Sequence, residues 1–446
     1  MSTPNAKLDR IAFETSRLLE FCSLKELTAQ IGHDPDEWPL VALKELFDNA
    51  LDACEEADVQ PEIAVTVDDE GITVTDNGPG IPADTVEGVL DYSVRTSSRE
   101  AYVSPTRGAQ GNALKTILAM PHALDGSHGQ VDVYAHGQRH EIVFGVDHLR
   151  QEPVLTRTIH EAENVKNGTS IKVWWPVSAC SILTEAKPRF LQLASDYTFL
   201  NPHMSLSVDW FGEQTTTPAT TGTWAKWSPS EPTSPHWYGP EEFGRLVSAK
   251  IAHGQDHGTD QSVREFIKEF RGLTGTAKQK QVLEDTGLTR TNLSELANGH
   301  GLEHDVLAKL LASLKTHSKP VKPAALGIIG KAHIQTRFEQ LGCEMDSFQY
   351  RKVAEVDEDG LPAVIETAFA WRGDKCTEPR RLITGVNFSP GIGNPFRTLG
   401  KDYGDGLSAM LADRYASSDE PIIFLLHLAH PRVRYTDRGK SALVIK

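Results

Sequence analysis

Between residues 41 and 54 the sequence VALKELFDNALDAC repeats its apolar positions with a helical period. At about 100° per residue, Leu43, Leu46, Phe47, Ala50, Leu51 and Cys54 fall on one side, and Glu45, Asp48, Asn49 and Asp52 on the other. Three carboxylates at i, i+3 and i+7 repel one another by a few tenths of a kcal/mol per pair unless water or a cation relieves them. An asparagine among them adds a neutral oxygen suited to a hard cation such as Mg²⁺. Taken alone, the stripe also fits the solvated face of an ordinary amphipathic helix. Residues 1–60 read as helices, from FETSRLLEFCSLKELTAQIG to a two-faced helix ending in Glu55-Glu56-Ala57. At Pro61 the period changes to two: PEIAVTVDDEGITVTDNG carries β-branched residues around an Asp-Glu-Gly turn and predicts a hairpin. Strand-like runs recur at QVDVYAHG, HEIVFGV and TSIKVWWPV. Helices followed by antiparallel-type strands predict an α+β fold, an α/β sandwich with its helices on one sheet face.

Residues 213–240 are rich in Thr, Ser, Pro and Trp and read as a loop or linker, the first boundary in the chain. Residues 241–318 are helical in pattern, with turns at Gly272, Gly275, Gly287 and Asn298-Gly299; SKPVKPAALG then breaks the helix, and a second α/β segment follows from residue 325 to the end. Within the helical stretch, QKQVLEDTGLTRTNLSELANG has the look of a repressor-type helix-turn-helix with Gly287 in its turn, where Lys278, Lys280 and Arg290 could meet phosphates. GVNFSPGIGNP at 385–395 lacks a following helix pattern and reads as a turn-rich edge rather than a phosphate loop.

Composition narrows the class. A chain of 446 residues has room for two or three domains. A mean hydropathy of −0.35 and the lack of a bilayer-length apolar run predict a soluble protein with no membrane partner. The first residues, MSTPNAKLDRIAFETSR, lack the apolar stretch of a signal peptide. Cys22, Cys54, Cys180, Cys343 and Cys376 are scattered and form no C-x-x-C, which suits a reducing cytoplasm and indicates neither a zinc site nor a disulfide framework. A net charge of −16 excludes a surface that grips nucleic acid everywhere, so any DNA contact must be local.

Two glycine-containing segments carry candidate chemistry. Asp76-Asn77-Gly78-Pro79-Gly80 follows a strand; its glycines would let backbone approach a flat ligand while the carboxylate accepts from an exocyclic amine, though the same letters also make a strong turn. Arg107-Gly108-Ala109-Gln110-Gly111-Asn112 runs into the apolar helix ALKTILAM, and small residues ahead of a helix start free N–H groups for an anion. Lys115 does not stand where a P-loop would place it.

Order and combination point further. Glu45 and Asn49 on a helix, Asp76-x-Gly-x-Gly after a strand, Gly108-x-x-Gly111 before a helix and Gly168-Thr169 before a strand resemble the N, G1, G2 and G3 boxes of the GHKL ATPases. Within that superfamily FETSRLLEFCSLKELTAQIG, KELFDNALDACEEADVQPEI, DNGPGIP and the TFLNPH of residues 198–203 are similar to phrases of the B subunit of type IIB topoisomerase (topoisomerase VI), in that family's order. SVREFIKEFRGLTGTAKQKQVLEDTGL resembles its helix-two-turn-helix insert, and KPAALGIIGKAHI the start of its transducer domain.

The resemblance implies a GHKL (Bergerat) sandwich with an N-terminal dimerisation segment over 1–225, a helical domain over 236–318 and a transducer-like domain over 320–446. It implies ATP and Mg²⁺ as cofactors. Glu45 would be the general base toward water, Asn49 the Mg²⁺ ligand, Asp76 the reader of the adenine amine with Thr169 in support, and Gly78 and Gly80 the nucleotide lining. Arg107, Gly108, Ala109, Gln110, Gly111 and Asn112 would cover the phosphates, and Lys440 would be the switch lysine reaching the γ-phosphate. No catalytic role falls to Asp48 or Asp52. The implied protein is a cytoplasmic ATPase that dimerises on ATP, gates double-stranded DNA and works with a DNA-cleaving A-type subunit. A nucleotide-gated clamp or regulatory module without topoisomerase activity, as in bacterial defence or chromosome handling, is the alternative, and a transcription regulator a third reading. Ala113 replaces the family's third lid glycine, and Arg438 stands where gyrase-like relatives have glutamine. The family continues past the switch lysine into a helix that docks the A-type partner, whereas this sequence ends at Lys446; a shortened chain or a different coupling to a nuclease is expected.

Overall fold

A computed structural model of the chain describes residue 21 and residues 23–90, 101–107, 113–147, 149, 152–162, 167–298, 301–399, 406–437 and 439–444. The first helix, α1 (Leu24–Ile31), is capped by Ser23 and closed by Gly32 at φ 75°. A 3₁₀ turn at Pro35–Glu37 leads into α2 (Trp38–Glu56), with Pro39 in the first turn, where its missing N–H costs nothing. The hairpin β1 (Glu62–Asp68) and β2 (Gly71–Thr75) forms in the register the alternation requires, Asp68 opposite Gly71. Asp68 Oδ1 closes its turn by accepting from the Glu70 and Gly71 N–H groups at 2.9 and 3.0 Å. The next elements are α3 (Ala83–Leu90), α4 (Ala113–Asp125), β3 (Gly129–Ala135), β4 (Gln138–Asp147), β5 (Glu152–Glu161), β6 (Thr169–Trp174), α5 (Cys180–Glu185), α6 (Lys187–Leu200), β7 (Ser205–Trp210) and β8 (Glu213–Thr217).

Among the described residues the eight strands form one sheet in the order β5-β4-β3-β6-β2-β1-β7-β8, in which only the β1–β7 pairing is parallel. Along β1 exposed and buried positions alternate, so one sheet face is wet and the other packs. On the packed face, Leu46, Phe47 and Leu51 of α2, Ile117 and Met120 of α4, and Phe190 and Tyr197 of α6 share one apolar cluster with Val65, Val74, Val133 and Val173. The expected sandwich with helices on one face is therefore present.

The loop-or-linker expectation holds for the backbone of residues 218–234 and is corrected at the two ends and in packing. Residues 213–217 are an edge strand; its threonines suit β structure, and its polarity follows from both faces being exposed. Farther on, Trp227, Trp237 and Tyr238 are fully buried. The Ser/Pro/Thr composition hid these aromatic anchors. They join an apolar cluster that runs without a break through α7 (Pro240–Asp256), α8 (Val263–Lys268), α9 (Thr276–Thr286), α10 (His304–His317) and α11 (Lys331–Gln340) into a second sheet.

The repressor-type helix-turn-helix is corrected as well. Gly287, at φ 79°, caps α9, but the chain then makes only a 3₁₀ turn at Leu293–Leu296 and a two-residue pair, β9 (Ala297–Asn298) with β10 (Gly301–Leu302). Among the described residues no second α-helix stands there to enter a groove, and Lys278 Nζ donates to the Gly272 carbonyl at 2.9 Å. The second sheet has the order β11 (Gln349–Val356), β12 (Pro362–Trp371), β15 (Ile422–Ala429), β13 (Arg381–Val386), β14 (Ser389–Pro390), with α12 (Gly406–Ala412) between β14 and β15 in the chain. No helix among the described residues is long and apolar enough to cross a membrane.

Candidate nucleotide site

Asp76 follows the last residue of β2, and the antiparallel pairing of β2 with β6 sets Thr75 opposite Ser170. That register brings the Asp76 N–H to the Thr169 carbonyl at 2.9 Å, and Asp76 Oδ1 accepts from the backbone N–H of Gly78 at 2.8 Å and of Thr169 at 3.2 Å. Oδ2 takes no donor among the described residues. Burial raises the Asp76 carboxyl above its ordinary value against the pull of the two N–H groups. Thr169 is buried and its Oγ1 accepts from the Ile81 N–H at 3.1 Å, tying the strand β6 to the segment after Gly80. Two glycines are demanded by space. A Cβ on Gly78 would lie 2.9 Å from Asp76 Oδ1, and one on Gly168, at φ +81°, would lie 1.9 Å from the Asp76 carbonyl oxygen. Gly80 is also at positive φ, with His136 against it. Cys54 of α2 borders the same place; burial and the Asp76 and Glu55 carboxylates push its thiol up to about 12, which leaves it inert.

On α2, Glu45 is half-buried and Asn49, one turn on, is exposed, so this pair alone of the polar stripe faces outward. Asp48 and Asp52 are buried. Asp48 Oδ1 accepts from the Tyr197 hydroxyl at 2.7 Å, while Oδ2 accepts from Lys44 Nζ at 3.1 Å and from Ser389 Oγ at 2.9 Å. Lys44 Nζ also donates to Ser389 Oγ, and the Tyr197 hydroxyl lies 3.0 Å from the Lys44 carbonyl. Asp52 accepts from Arg107 Nη1 at 2.8 Å. The stripe thus divides into an outward pair and an inward pair that brace the helix.

Arg107 requires a correction. Its guanidinium is buried and both terminal nitrogens are engaged: besides Asp52 it makes two 2.7 Å bonds to Glu55 and one of 2.6 Å to Asn201 Oδ1. It is a clamp on α2 rather than a phosphate contact, because buried carboxylates on α2 outcompete a solvated anion for it. Glu55 also takes Lys226 Nζ at 2.6 Å and His203 Nε2 at 3.2 Å. Burial would raise its carboxyl, but Arg107 and Lys226 hold it well below the carboxylate range. Gly108, Ala109, Gln110, Gly111, Asn112 and Arg438, together with residues 1–20, lie outside the described residues.

The distant lysine arrives on a turn whose stem pairs Tyr435 with Leu443. Lys440 is half-buried and adopts φ 54°. Burial alone would lower its ammonium; the Glu45 carboxylate first, then Tyr435, Asp48 and Asp52, reverse this and hold it above the ordinary lysine value. Asp48 is lowered in turn, against burial, by Lys44, Lys440 and Arg107. A cation from the end of the second α/β segment and the acids of α2 therefore share one electrostatic field. Among the described residues no group of three or more His, Cys, Asp and Glu is arranged for a metal. Mg²⁺ held mainly by phosphate oxygens needs few protein ligands, and the exposed Asn49 amide beside Glu45 suits that demand.

Sequence reading missed Ser389, Tyr197 and Lys226. Tyr197 immediately precedes the TFLNPH phrase, whose Asn201 and His203 sit in the clamp, and that adjacency is a usable signal. Ser389 lies inside the glycine-containing turn set aside as an edge, and nothing local marks it.

Comparisons with known proteins agree in kind. The family described as histidine kinase-, DNA gyrase B-, and HSP90-like ATPase matches residues 37–179. The B subunit of type 2 DNA topoisomerase 6 from Archaeoglobus fulgidus is 25% identical over 92% of this chain and 67% of its own length; that from Metallosphaera sedula is 24% identical over 90% and 75%. With the corresponding protein of Natronomonas pharaonis identity reaches 33%, over 32% of this chain and 19% of that protein. Among solved structures, the ATPase region of Saccharomyces cerevisiae topoisomerase II aligns with 90% of this chain and 76% of that one at 10% identity and a TM-score of 0.41.

Proposed function

We propose that this chain, whose residues 37–179 belong to the histidine kinase-, DNA gyrase B- and HSP90-like ATPases and which is similar along most of its length to the B subunits of topoisomerase 6, is the ATP-hydrolysing subunit of a type IIB topoisomerase-like machine. The observation that carries the reading is the Asp76–Thr169 corner, in which Asp76 Oδ1 holds the backbone N–H groups of Gly78 and Thr169; the Glu45 carboxylate first, with Asp48 and Asp52 of the same helix, also holds the Lys440 ammonium above its ordinary value. Asp76 Oδ2 accepts from the adenine amine, and Thr169 holds that corner rigid. Glu45, half-buried and one turn from Asn49, orients and deprotonates water. ATP brings the phosphoanhydride, with Mg²⁺ neutralising its charge and Asn49 as the protein's ligand to it. Lys440 binds the terminal phosphate and reports its loss, because a cation amid three carboxylates is stabilised further by an anion only while that anion is present. ATP binding joins two chains into a gate on double-stranded DNA, hydrolysis reopens it, and strand cleavage belongs to an A-type partner subunit.

The test is ATP turnover together with nucleotide-dependent dimerisation measured by light scattering. Lys440→Ala is expected to cut turnover by about 10²-fold or more and to weaken ATP-dependent dimerisation. Unchanged turnover in both Lys440→Ala and Glu45→Ala would sink the site assignment.

A further inference from the structure

Gly32, which ends α1, and Gly439, which precedes Lys440, are in close contact: a Cβ built on Gly439 would lie 2.5 Å from the Gly32 carbonyl oxygen. The residue after Gly32 completes the contact. His33 Nε2 lies 3.0 Å from the Gly439 carbonyl oxygen, and its Nδ1 lies 2.8 Å from Glu37 Oε2. The other Glu37 oxygen accepts from Arg189 Nη2 of α6 at 2.6 Å, and the His33 carbonyl accepts from Trp38 Nε1 at 3.0 Å. Burial would raise the Glu37 carboxyl, but the bonds from His33 and Arg189 bring it below its ordinary value, so it stays ionised.

Both atoms facing the His33 ring are therefore acceptors without a proton to give. A neutral imidazole has one N–H, so either tautomer would set a ring lone pair against the Gly439 carbonyl or against the Glu37 carboxylate. Only the doubly protonated ring makes both bonds. The charged groups around it are Glu37 on the 3₁₀ turn and Arg189 on α6, which reaches the ring through Glu37. On the facing turn, Asp437 is occupied by Ser441 and Thr436, and Lys440 faces the acids of α2.

We propose that His33, as the imidazolium, is a positioning residue for Lys440: it pins the 435–443 turn to the connection between α1 and α2, and loss of its second proton releases that turn. The proposal rests on the reading of Lys440 as the lysine that meets the terminal phosphate. Turnover then falls once rising pH has removed the second ring proton, because the docked turn needs both ring N–H groups. Removing one charge-assisted hydrogen bond supports an effect of about tenfold.

The experiment is steady-state ATP turnover of the full chain against pH. In the unsubstituted protein an alkaline limb is expected. In His33→Gln that limb should vanish, with turnover about tenfold lower at the acidic end. In His33→Lys, which carries a cation at every pH tested, turnover should persist on the alkaline side. Ring ¹⁵N shifts of His33 provide a readout apart from activity, and both nitrogens are expected protonated at mildly acidic pH in the folded chain. A neutral tautomer there, or an unaltered alkaline limb in His33→Gln, overturns the inference. Unchanged turnover in Lys440→Ala would instead overturn the reading beneath it, so the two failures are distinguishable.

Discussion

The two ends of the proposed nucleotide site, Asp76 for adenine and Glu45 with Lys440 for phosphate, are built on different plans. At the adenine end, Asp76, Gly78, Gly168 and Thr169 come from adjacent strands of one sheet, and the β2–β6 register fixes every contact among them. At the phosphate end, Glu45 and Asp48 come from α2, Ser389 from β14 and Lys440 from a turn near the end of the chain. The first end is complete within one layer and should bind whatever the second segment does. The second exists only while two α/β units are docked. Affinity and turnover should therefore respond to different substitutions.

The largest expected separation is in Glu45→Ala. Loss of a positioned general base should slow ATP turnover by about 10²–10⁴-fold while binding of a fluorescent ATP analogue changes little; a parallel loss of binding would mean that Glu45 also shapes the pocket. Next comes Asp76→Asn, which swaps an ionised acceptor for an amide. An affinity loss of about tenfold to a hundredfold is expected, on the scale of a hydrogen bond to a charged group, with turnover at saturating ATP largely kept. Titration calorimetry beside initial rates checks it, and a pure turnover defect would contradict the division. The smallest effect should follow Ser389→Ala. It removes one hydroxyl between Lys44 and Asp48 while their 3.1 Å ion pair stays, so a turnover loss of only a few-fold is expected, about 1 kcal/mol, with nucleotide affinity unchanged. A shift in affinity equal to that in rate would show that the joint acts on the whole pocket.

The same division governs what the sequence made legible. The adenine end is written in short range: a strand, a turn demanding glycines and a Gly-Thr ahead of another strand are local signals, and the hairpin register follows from alternation. That Glu45 and Asn49 share the outward side of α2 was legible because four residues make about one helical turn. Asp48 and Asp52 share that stripe, yet their burial depends on Tyr197, Ser389 and Arg107, which periodicity cannot place. Arg107 was misassigned for a related reason: proximity in sequence to the glycine-rich segment says nothing of the carboxylates waiting on α2. The 213–240 stretch failed on composition, since three buried aromatic residues outweigh many surface Ser, Thr and Pro in deciding whether a segment packs.

Helix α2 is held at two places along its length. Near its middle Asp48 and Lys44 hold Ser389, and at its C-terminal end Glu55 holds Arg107 and Lys226. Nineteen residues make a rod roughly 28 Å long, and a rod pinned at two separated points can neither roll about its axis nor slide without breaking a buried ion pair. It is an anvil rather than a lever. Any motion that accompanies the proposed nucleotide exchange would then fall to the turns that meet it, and Glu45, the proposed general base, would keep its address throughout.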